Sequence, residues 1–378
     1  MQLFDVYSLY PIEPVRGEGA YVYTEDGQRY LDCYGGHAVI SIGHAHPHYV
    51  KLISEQVAKL GFYSNSVENP LQRELAEKLG RLSGMDDYRL FLVSSGAEAN
   101  ENALKLASFR TGRSRIIAFR GGFHGRTSAA VNCTDNEAIK APINRNYPVT
   151  FLEINDLGAV AQELSKGDVA AVIIEGIQGI GGIHVPDAAY LEALPDLCHE
   201  HGALLILDEV QSGYGRSGKF FAFQHSRVRP DIVTMAKGMG NGFPIGGVLI
   251  APEIAAKPGM LGTTFGGSHL ACAAGIAVLD VIEQEGLLHN ATVQGNYLMD
   301  ALRGSGSFRE VRGLGLMIGL QMDEPIAGLR KRLLFEDHVF TGSAKDPNTI
   351  RLLPPLNITR EECERVVAKL LAATGARV

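Results

Sequence analysis

The chain has 378 residues, of which 46% are hydrophobic and 20% charged, values that exclude a disordered chain and predict two folded domains. Its formal net charge of −7 argues against an extended nucleic-acid-binding surface. Its apolar runs are too short to span a bilayer, and the N-terminus lacks the features of a signal peptide. The five cysteines are scattered without a CxxC pair, which predicts reduced thiols in a cytoplasmic protein and no zinc site.

Short β-rich runs alternate with helix-like stretches over the first two thirds of the chain. The predicted strands are residues 89–93, 115–119, 149–152, 169–174, 203–207, 232–235 and 247–250. Nearly continuous apolar strands separated by helices predict an α/β fold, with a mostly parallel sheet covered by helices on both faces. Ligands of such sheets gather at the carboxyl ends of the strands.

The pattern changes beyond about residue 266 to that of a smaller α+β domain. We predict a helix over 269–285, a glycine turn at 312–315, strands at 316–320 and 350–353, and a final helix that begins with a capping box of Thr359 and Glu362. The predicted divisions are an N-terminal segment that joins the small domain (1–50), a large domain (51–266) and a small C-terminal domain (267–378).

Lys237 and Asp208 form the most informative pair of candidate residues. Lys237 lies in a glycine-rich, nearly uncharged segment, and Asp208 follows the apolar run 203–207. Desolvation lowers the pKa of an amine and frees its lone pair for attack on a carbonyl. A carboxylate at the end of a buried strand suits the pyridine nitrogen of a Schiff-base cofactor. The pair therefore indicates an enzyme that uses pyridoxal 5'-phosphate (PLP).

Two glycine-containing loops follow predicted strands and each has two interpretations. Ser95, Gly96 and Ala97 open a helix, where small residues and the helix dipole favour a phosphate, although an ordinary serine cap fits equally well. Phe123 could lie on a pyridine ring and Arg126 could grip a carboxylate. Taken alone, that second loop is better explained by a core phenylalanine and a surface arginine.

Further candidates have equally ordinary alternatives. Glu175 ends a strand and is either a neighbour of the cofactor or a carboxylate that faces water. Thr263 and Thr264 offer hydroxyls in a flexible turn, which suits a phosphate or is simply a polar loop. Arg351 is a lone cation in an apolar strand, and is either a second grip for a carboxylate or an edge-strand charge.

A nucleotide-binding alternative rests on Gly213–Lys219, which fits GxxxxGK, and on the carboxylates after the strand at 203–207. Phe220 stands where a P-loop ATPase requires a metal-binding serine or threonine, so the context disfavours it. The alternating histidines His44, His46 and His48 suggest a metal, but Pro47 and the lack of a nearby carboxylate favour a turn.

Together these segments resemble the class III, or ornithine-type, aminotransferases of PLP fold type I over nearly the whole chain. The most specific matches are Asp208–Gln211, Arg216–Lys219 and Lys237 with the glycine after it. The form Phe123-His-Gly-Arg-Thr127 resembles the subgroup that acts on N-acetylornithine. The resemblance implies a homodimer that moves the terminal amino group of an N-acylated ornithine to 2-oxoglutarate in arginine biosynthesis. Ornithine, 4-aminobutyrate or an acylated lysine as donor would preserve the same cofactor residues.

The resemblance also implies roles for individual residues. Lys237 would carry the cofactor and move the proton, and Asp208 would pair with the pyridine nitrogen. Val210 and Phe123 would pack on the two ring faces, with Gln211 at the phenolic oxygen. The remaining implied contacts are to the phosphate (Ser95, Gly96, Ala97, and Thr264 from the neighbouring subunit), beside the cofactor (Glu175) and to the substrate (Arg126, Thr263, Arg351).

Ile180 departs from this family, which usually has glutamate at that position and pairs it with the arginine that corresponds to Arg351. Isoleucine cannot form the pair, and an unpaired buried charge is costly. We therefore expect Arg351 to be hydrated, to have other partners or to await a carboxylate. The hypothesis that follows is a preference for donors with an extra carboxylate, such as N-succinylornithine, over free ornithine.

Overall fold

The structure is a computed structural model that describes residues 1–375. Its strands are β1 Pro14–Glu18, β2 Tyr21–Thr24, β3 Arg29–Asp32, β4 Arg89–Val93, β5 Arg115–Phe119, β6 Val149–Leu152, β7 Val169–Glu175, β8 Leu204–Asp208, β9 Ile232–Met235, β10 Gly246–Ile250, β11 Glu310–Leu314, β12 Met317–Gln321, β13 Val339–Phe340, β14 Gly342–Ser343 and β15 Thr349–Leu352. Its α-helices are α1 Gly35–Ala38, α2 Pro47–Lys59, α3 Pro70–Ser83, α4 Gly96–Thr111, α5 Ser128–Asn132, α6 Leu157–Leu164, α7 Gly179–Gly182, α8 Ala188–Glu200, α9 His269–Gln284, α10 Leu287–Gly304, α11 Ala327–Phe335 and α12 Arg360–Thr374.

A seven-stranded sheet in the order β4-β10-β9-β8-β7-β5-β6 forms the centre of the molecule. Strands β6, β5, β7, β8 and β9 pair in parallel, whereas β10 is antiparallel to both of its neighbours. All seven strands lie where the sequence predicts them, which confirms the mostly parallel α/β sheet. Strands β7 and β8 each run one residue further than predicted, because the ladder pairs Glu175 with Asp208.

The two faces of this sheet bury alternate residues in two separate cores. Ile173 and Ile206 pack in one core with Ala103 of α4. Val172 and Leu205 pack in the other core, which includes residues of α8 and α9. Because successive side chains of a strand point to opposite faces, both faces are covered, as the apolar runs predict.

The described residues form two further sheets of four strands each, in the orders β1-β2-β3-β13 and β11-β12-β15-β14. Strand β3 pairs in parallel with β13, which supports our proposal that residues 1–50 belong with the C-terminal part of the chain. The predicted glycine turn at 312–315 is wrong in its extent. Strand β11 continues to Leu314, because its residues pair with β12, and the turn is confined to Gly315 and Leu316.

The C-terminal helix begins where the sequence predicts. The Thr359 hydroxyl accepts a hydrogen bond from Glu362 N at 3.3 Å, and the Glu362 carboxylate accepts one from Thr359 N at 2.8 Å. This confirms the capping box. Among residues 1–375, none of the helices combines the length and apolar character that a membrane crossing requires.

Candidate active site

A cavity of about 380 Å³ lies at the carboxyl ends of β7, β8 and β9. Its size is within the range of small-molecule sites, roughly 300–1,000 Å³. Ten of the predicted site residues line it: Ser95, Gly96, Ala97, Phe123, Arg126, Glu175, Asp208, Val210, Gln211 and Lys237. Ile180 also lines it, whereas Thr263, Thr264 and Arg351 do not.

Asp208 is buried at the end of β8 and is held by neighbours from three segments. Its Oδ2 accepts hydrogen bonds from Asn100 Nδ2 and from the His124 imidazole, both at 2.7 Å. Its Oδ1 accepts one from Val210 N at 3.0 Å. The carboxylate is thus fixed at the wall of the cavity.

His124 and Asn100 form the support behind Asp208. Burial opposes a charge on His124, but the hydrogen bond and the charges of Asp208 and Glu175 outweigh it and raise the pKa of the imidazole. The histidine is therefore hydrogen-bonded and helps to hold Asp208 in place. Asn100 was missed by sequence analysis, although a polar side chain on the buried face of α4 is a usable signal. Thr234 fixes its amide, since the Thr234 hydroxyl donates to Asn100 Oδ1 at 2.6 Å.

Lys237 follows β9 in a short 3-10 turn and is half-buried. Burial lowers the pKa of its amine and Arg351 lowers it further, while the charges of Asp208 and Glu175 oppose the shift. Its backbone has φ = +49°, a left-handed conformation that is uncommon for a lysine. Such strained residues persist where the surrounding structure holds them and cluster at functional sites.

The N-terminus of α4 meets the cavity beside Val210. Ser95 caps the helix, since its hydroxyl accepts from Glu98 N at 3.2 Å. A Cβ at Gly96 would lie 2.5 Å from Val210 Cγ1, so only glycine allows Val210 to pack so close to the helix end. A Cβ on Gly125 would likewise lie 2.8 Å from Ala97 Cβ. The small residues thus leave the first amides of α4 open to the cavity.

Glu175 organises the opposite wall. Its two oxygens accept hydrogen bonds from Phe123 N at 3.0 Å and from Gly179 N at 2.9 Å. Burial raises the pKa of this carboxyl to about 7, with His124 lowering it and Asp208 raising it. The solvent-facing interpretation of Glu175 is therefore wrong, because both of its oxygens hold the backbone of cavity loops.

Arg351 lies behind Gln211 and is 2% exposed. Its Nη1 donates to Gln211 Oε1 at 3.1 Å and its Nε donates to the Ser343 carbonyl at 2.6 Å. Burial lowers the pKa of the guanidinium to about 10, and among residues 1–375 it has no carboxylate partner. The edge-strand interpretation is therefore wrong. The sequence leads us to expect Arg351 to be hydrated, to have other partners or to await a carboxylate. The structure shows other partners, and both are uncharged.

Gln211 bridges Arg351 to the N-terminal segment. Its Nε2 donates to the His37 carbonyl at 3.1 Å. A Cβ at Gly179 would lie 1.8 Å from Gln211 Oε1, so glycine is required there for this arrangement.

Thr263 lines a separate cavity of about 310 Å³ together with Asn65 and Gln72. Thr264 is exposed, and the neighbouring Phe265 is 64% exposed and contacts Phe62 with ring centroids 5.3 Å apart. Within one described chain, neither threonine meets Lys237 in a common cavity.

The P-loop interpretation of Gly213–Lys219 is wrong. A P-loop requires a helix directly after the motif, but here the chain continues in turns and a 3-10 helix, Ala222–His225. Arg216 within the motif is buried and donates to three carbonyls, those of Ile40, Leu316 and Pro354.

The three alternating histidines point to three different carboxylates. His44 pairs with Asp32, His46 with Glu285 and His48 with Asp280, at 2.8 to 3.0 Å. Each imidazole thus has its own partner. His44 bonds β3 within the N-terminal segment, and His46 and His48 tie that segment to α9 and to the residue that follows it.

A family profile described as Aminotransferase class-III matches residues 6–374. The chain belongs to the class III aminotransferases. Two curated relatives named acetylornithine aminotransferase agree. That of Archaeoglobus fulgidus is 41% identical over 372 residues, 98% of this chain and 97% of the relative. That of Bacillus subtilis is 40% identical over 379 residues, 98% of this chain and 97% of the relative.

Solved structures of class III aminotransferases share the fold. Ornithine aminotransferase from Toxoplasma gondii superposes with a TM-score of 0.92 at 29% identity, over 98% of this chain and 92% of that one. Acetylornithine aminotransferase from Elizabethkingia anophelis superposes with a TM-score of 0.83 at 32% identity, over 97% of this chain and 94% of that one. The predicted PLP fold type I is confirmed.

Class III aminotransferases depend on PLP, and the cavity of this chain fits that group. When bound, PLP supplies an electron sink for the electrons released at the amino-bearing carbon of the substrate. The fit rests on a buried carboxylate, an amine with a lowered pKa and a helix N-terminus kept open by Gly96, all around one cavity. This aminotransferase therefore has the chemical groups its cofactor needs.

Proposed function

We propose that this aminotransferase moves the terminal amino group of an N-acylated ornithine, N-acetylornithine first, to 2-oxoglutarate in cytoplasmic arginine biosynthesis. The observation that carries the proposal is the identity of about 40%, over nearly the full length of both chains, to relatives named acetylornithine aminotransferase. The intact lysine and carboxylate at the cavity favour an active enzyme over a non-catalytic member of the fold.

The proposed roles follow from where each side chain lies. Lys237 attaches the cofactor and then holds and returns the proton at Nζ, for which its lowered pKa suits it. Asp208 would provide the negative charge for the pyridine nitrogen, and Val210 and Phe123, which both line the cavity, would pack on the two faces of the ring. Gln211 and Glu175 fix the surrounding walls. Ser95, Gly96 and Ala97, at the start of α4, would hold the phosphate.

Arg126 is the proposed grip for the substrate α-carboxylate. It is exposed and lines the cavity, and within the described chain it has no ion-pair partner. A free guanidinium can bind a carboxylate through two parallel hydrogen bonds. Replacing Arg126 by lysine keeps the charge but loses this geometry, so it is the matched control for an alanine variant.

N-succinylornithine is a second candidate donor, which the surroundings of Arg351 favour. This buried cation has only uncharged partners, and Ile180 adds apolar surface to the cavity. Because Arg351 does not line the cavity, an additional carboxylate on the donor would have to displace Gln211 Oε1 to reach it, and would then supply the missing negative charge. The acetyl group of N-acetylornithine is uncharged and would leave Arg351 without a negatively charged partner.

Steady-state kinetics with N-acetyl-, N-succinyl- and free ornithine test the function and the acyl group together. We expect both acylated donors to exceed free ornithine in kcat/KM. The purified protein should be yellow, and borohydride should fix the cofactor at Lys237 but not in Lys237→Ala. Turnover without a B6 cofactor, or preference for free ornithine, would overturn the proposal.

We further propose a homodimer in which Thr264 reaches the phosphate of the partner's site, with Thr263 near that substrate. Support comes from the exposed Thr264 and from the exposed aromatic pair Phe62 and Phe265 beside it. Lys237→Ala and Thr264→Asp should each lose activity. Mixed and reassociated subunits should recover part of it, because one site of each mixed dimer has both residues intact. No recovery would place Thr264 outside the site.

A further inference from the structure

Lys345 does not line the active-site cavity but contacts Ile180, which does, and Asp135. It lies in the loop between β14 and β15. Its Nζ donates to Asp135 Oδ2 at 2.7 Å and to the Asp135 carbonyl at 2.8 Å. Its backbone N donates to the Ile180 carbonyl at 2.8 Å. One residue thus contacts two segments that are distant in the sequence.

Asp135 in turn fixes the loop that carries Phe123 and Arg126. Its Oδ2 accepts from Gly121 N at 2.8 Å, and its backbone N donates to the Gly122 carbonyl at 2.9 Å. Gly121 has φ = +75°, a left-handed turn that this carboxylate stabilises. The position of the Arg126 loop therefore depends on Asp135.

The other side of Lys345 leads to Arg351. Strand β14 ends at Ser343, whose carbonyl accepts from Arg351 Nε, and β15 carries Arg351 itself. The ion pair of Lys345 and Asp135 thus connects the element with Arg351 to the loop with Arg126. Both arginines are proposed grips for substrate carboxylates.

Because the ion pair of Lys345 and Asp135 is partly exposed, we expect its effect on substrate binding to be modest and sensitive to salt. The side chains of Lys345 and Asp135 are 49% and 16% exposed. A second pair, Lys369 and Asp337, has nearly the same exposure, 42% and 14%, but does not contact the cavity. The two pairs match in exposure but differ in location and in bonding, since Lys369 makes one hydrogen bond to its aspartate and Lys345 makes two. Lys369 therefore controls for the loss of a partly exposed ion pair away from the cavity.

We propose that Lys345 is a positioning residue that sets the separation of Arg126 and Arg351, and so favours an acceptor with two carboxylates over one with a single carboxylate. This inference rests on the proposed function. Without the ion pair, the two elements are held only by their remaining contacts. A dicarboxylate that binds Arg126 in the cavity and displaces Gln211 Oε1 from Arg351 behind it loses more binding than a monocarboxylate that uses one arginine.

The experiment compares Lys345→Ala, Lys345→Arg and Lys369→Ala as holoenzymes, with 2-oxoglutarate and pyruvate as acceptors. For Lys345→Ala we expect KM for 2-oxoglutarate to rise about three- to fivefold, with kcat within about twofold, a size that suits a half-exposed pair. KM for pyruvate should change little. Arginine should restore most of the loss, and Lys369→Ala should match the wild type.

Salt and a second variant separate positioning from general loss of structure. Raising ionic strength from about 0.02 to 0.3 M screens exposed charges, so the difference between Lys345→Ala and wild type should shrink. Asp135→Asn keeps an oxygen for Gly121 N but removes the negative charge that faces both Lys345 and Arg120, so it should raise KM at least as much as Lys345→Ala. Because the two residues form one pair, the double variant should show less than the sum of the two effects. Equal effects of the two alanine variants, or an unchanged KM in an active enzyme, would overturn the inference. An inactive wild type would instead overturn the proposed function.

Discussion

Asp208 and Glu209 are consecutive buried carboxylates at the end of β8, and they serve two different regions of the molecule. Asp208 faces the cavity, where a side-chain amide and an imidazole hold one oxygen. Glu209 faces away, and its oxygens accept from Ala222 N and Phe223 N at 2.9 Å and from the Ser212 hydroxyl at 2.7 Å. Asp208 and Glu209 are both acidic and are adjacent in the chain, so neither residue type nor position explains their different roles. The hydrogen-bond partners of each carboxylate decide its role.

Asp208→Asn tests the cavity side and should have the largest effect. The amide carries no charge to favour a protonated pyridine nitrogen, so kcat should fall by about 10²–10³, as for loss of other preorganised electrostatic groups. The measurement is turnover of N-acetylornithine with 2-oxoglutarate by the folded variant. The free energy of unfolding should also fall by about 1–3 kcal/mol, because the new amide must face Val210 N or the donors of Asn100 and His124. Full turnover in the variant would remove Asp208 from its proposed role.

Glu209→Gln tests the opposite side, where the loss should be in stability. The new amide group must face a backbone N–H or the Ser212 hydroxyl, and an unsatisfied buried donor costs about 1–3 kcal/mol. Urea unfolding should show this decrease in the free energy of unfolding, while kcat/KM of the folded enzyme stays within about threefold of wild type. A large loss of kcat at unchanged stability would mean that the two carboxylates do not divide their roles in this way.

A smaller effect is expected in the pH dependence of the free energy of unfolding, when wild type is compared with Glu209→Gln. Burial raises the pKa of Glu209 to about 7, from the value of 4.5 for an exposed glutamate. A raised carboxyl pKa stabilises the fold most at low pH, and this contribution is lost as pH rises from about 4.5 through 7. Between pH 5.5 and 6.5, stability relative to Glu209→Gln should therefore fall by about 1 kcal/mol. Glu175 is present in both wild type and Glu209→Gln, so its contribution to the pH dependence cancels. If the difference in stability between the two proteins stayed constant with pH, the raised pKa of Glu209 would be contradicted.

The central sheet could be predicted almost residue by residue, because each strand is an apolar run with its own boundaries. Lys237 and Asp208 could be identified for a related reason, since the ends of parallel strands converge on one edge of the sheet. The sequence predicts the end of β8 one residue too early, and this error has a physical cause. The ladder continues past the last apolar residue and includes Asp208 itself.

Contacts between distant segments could not be predicted. Asn100 meets Asp208 across 108 positions, and Gln211 meets Arg351 across 140. Neither separation leaves a periodic or local signal in one sequence. The sequence did indicate that Arg351 lacks its usual partner, because Ile180 cannot accept a hydrogen bond through its side chain. It could not indicate which oxygens would replace that partner.

Arg216 has a consequence for how the enzyme opens. Its buried guanidinium bonds carbonyls of three separate segments, at Ile40, Leu316 and Pro354, and burial lowers its pKa to about 10. If one segment detached alone, it would leave a desolvated cation short of an acceptor. The three segments are therefore coupled in local unfolding, and amide exchange in them should proceed as one cooperative unit rather than segment by segment.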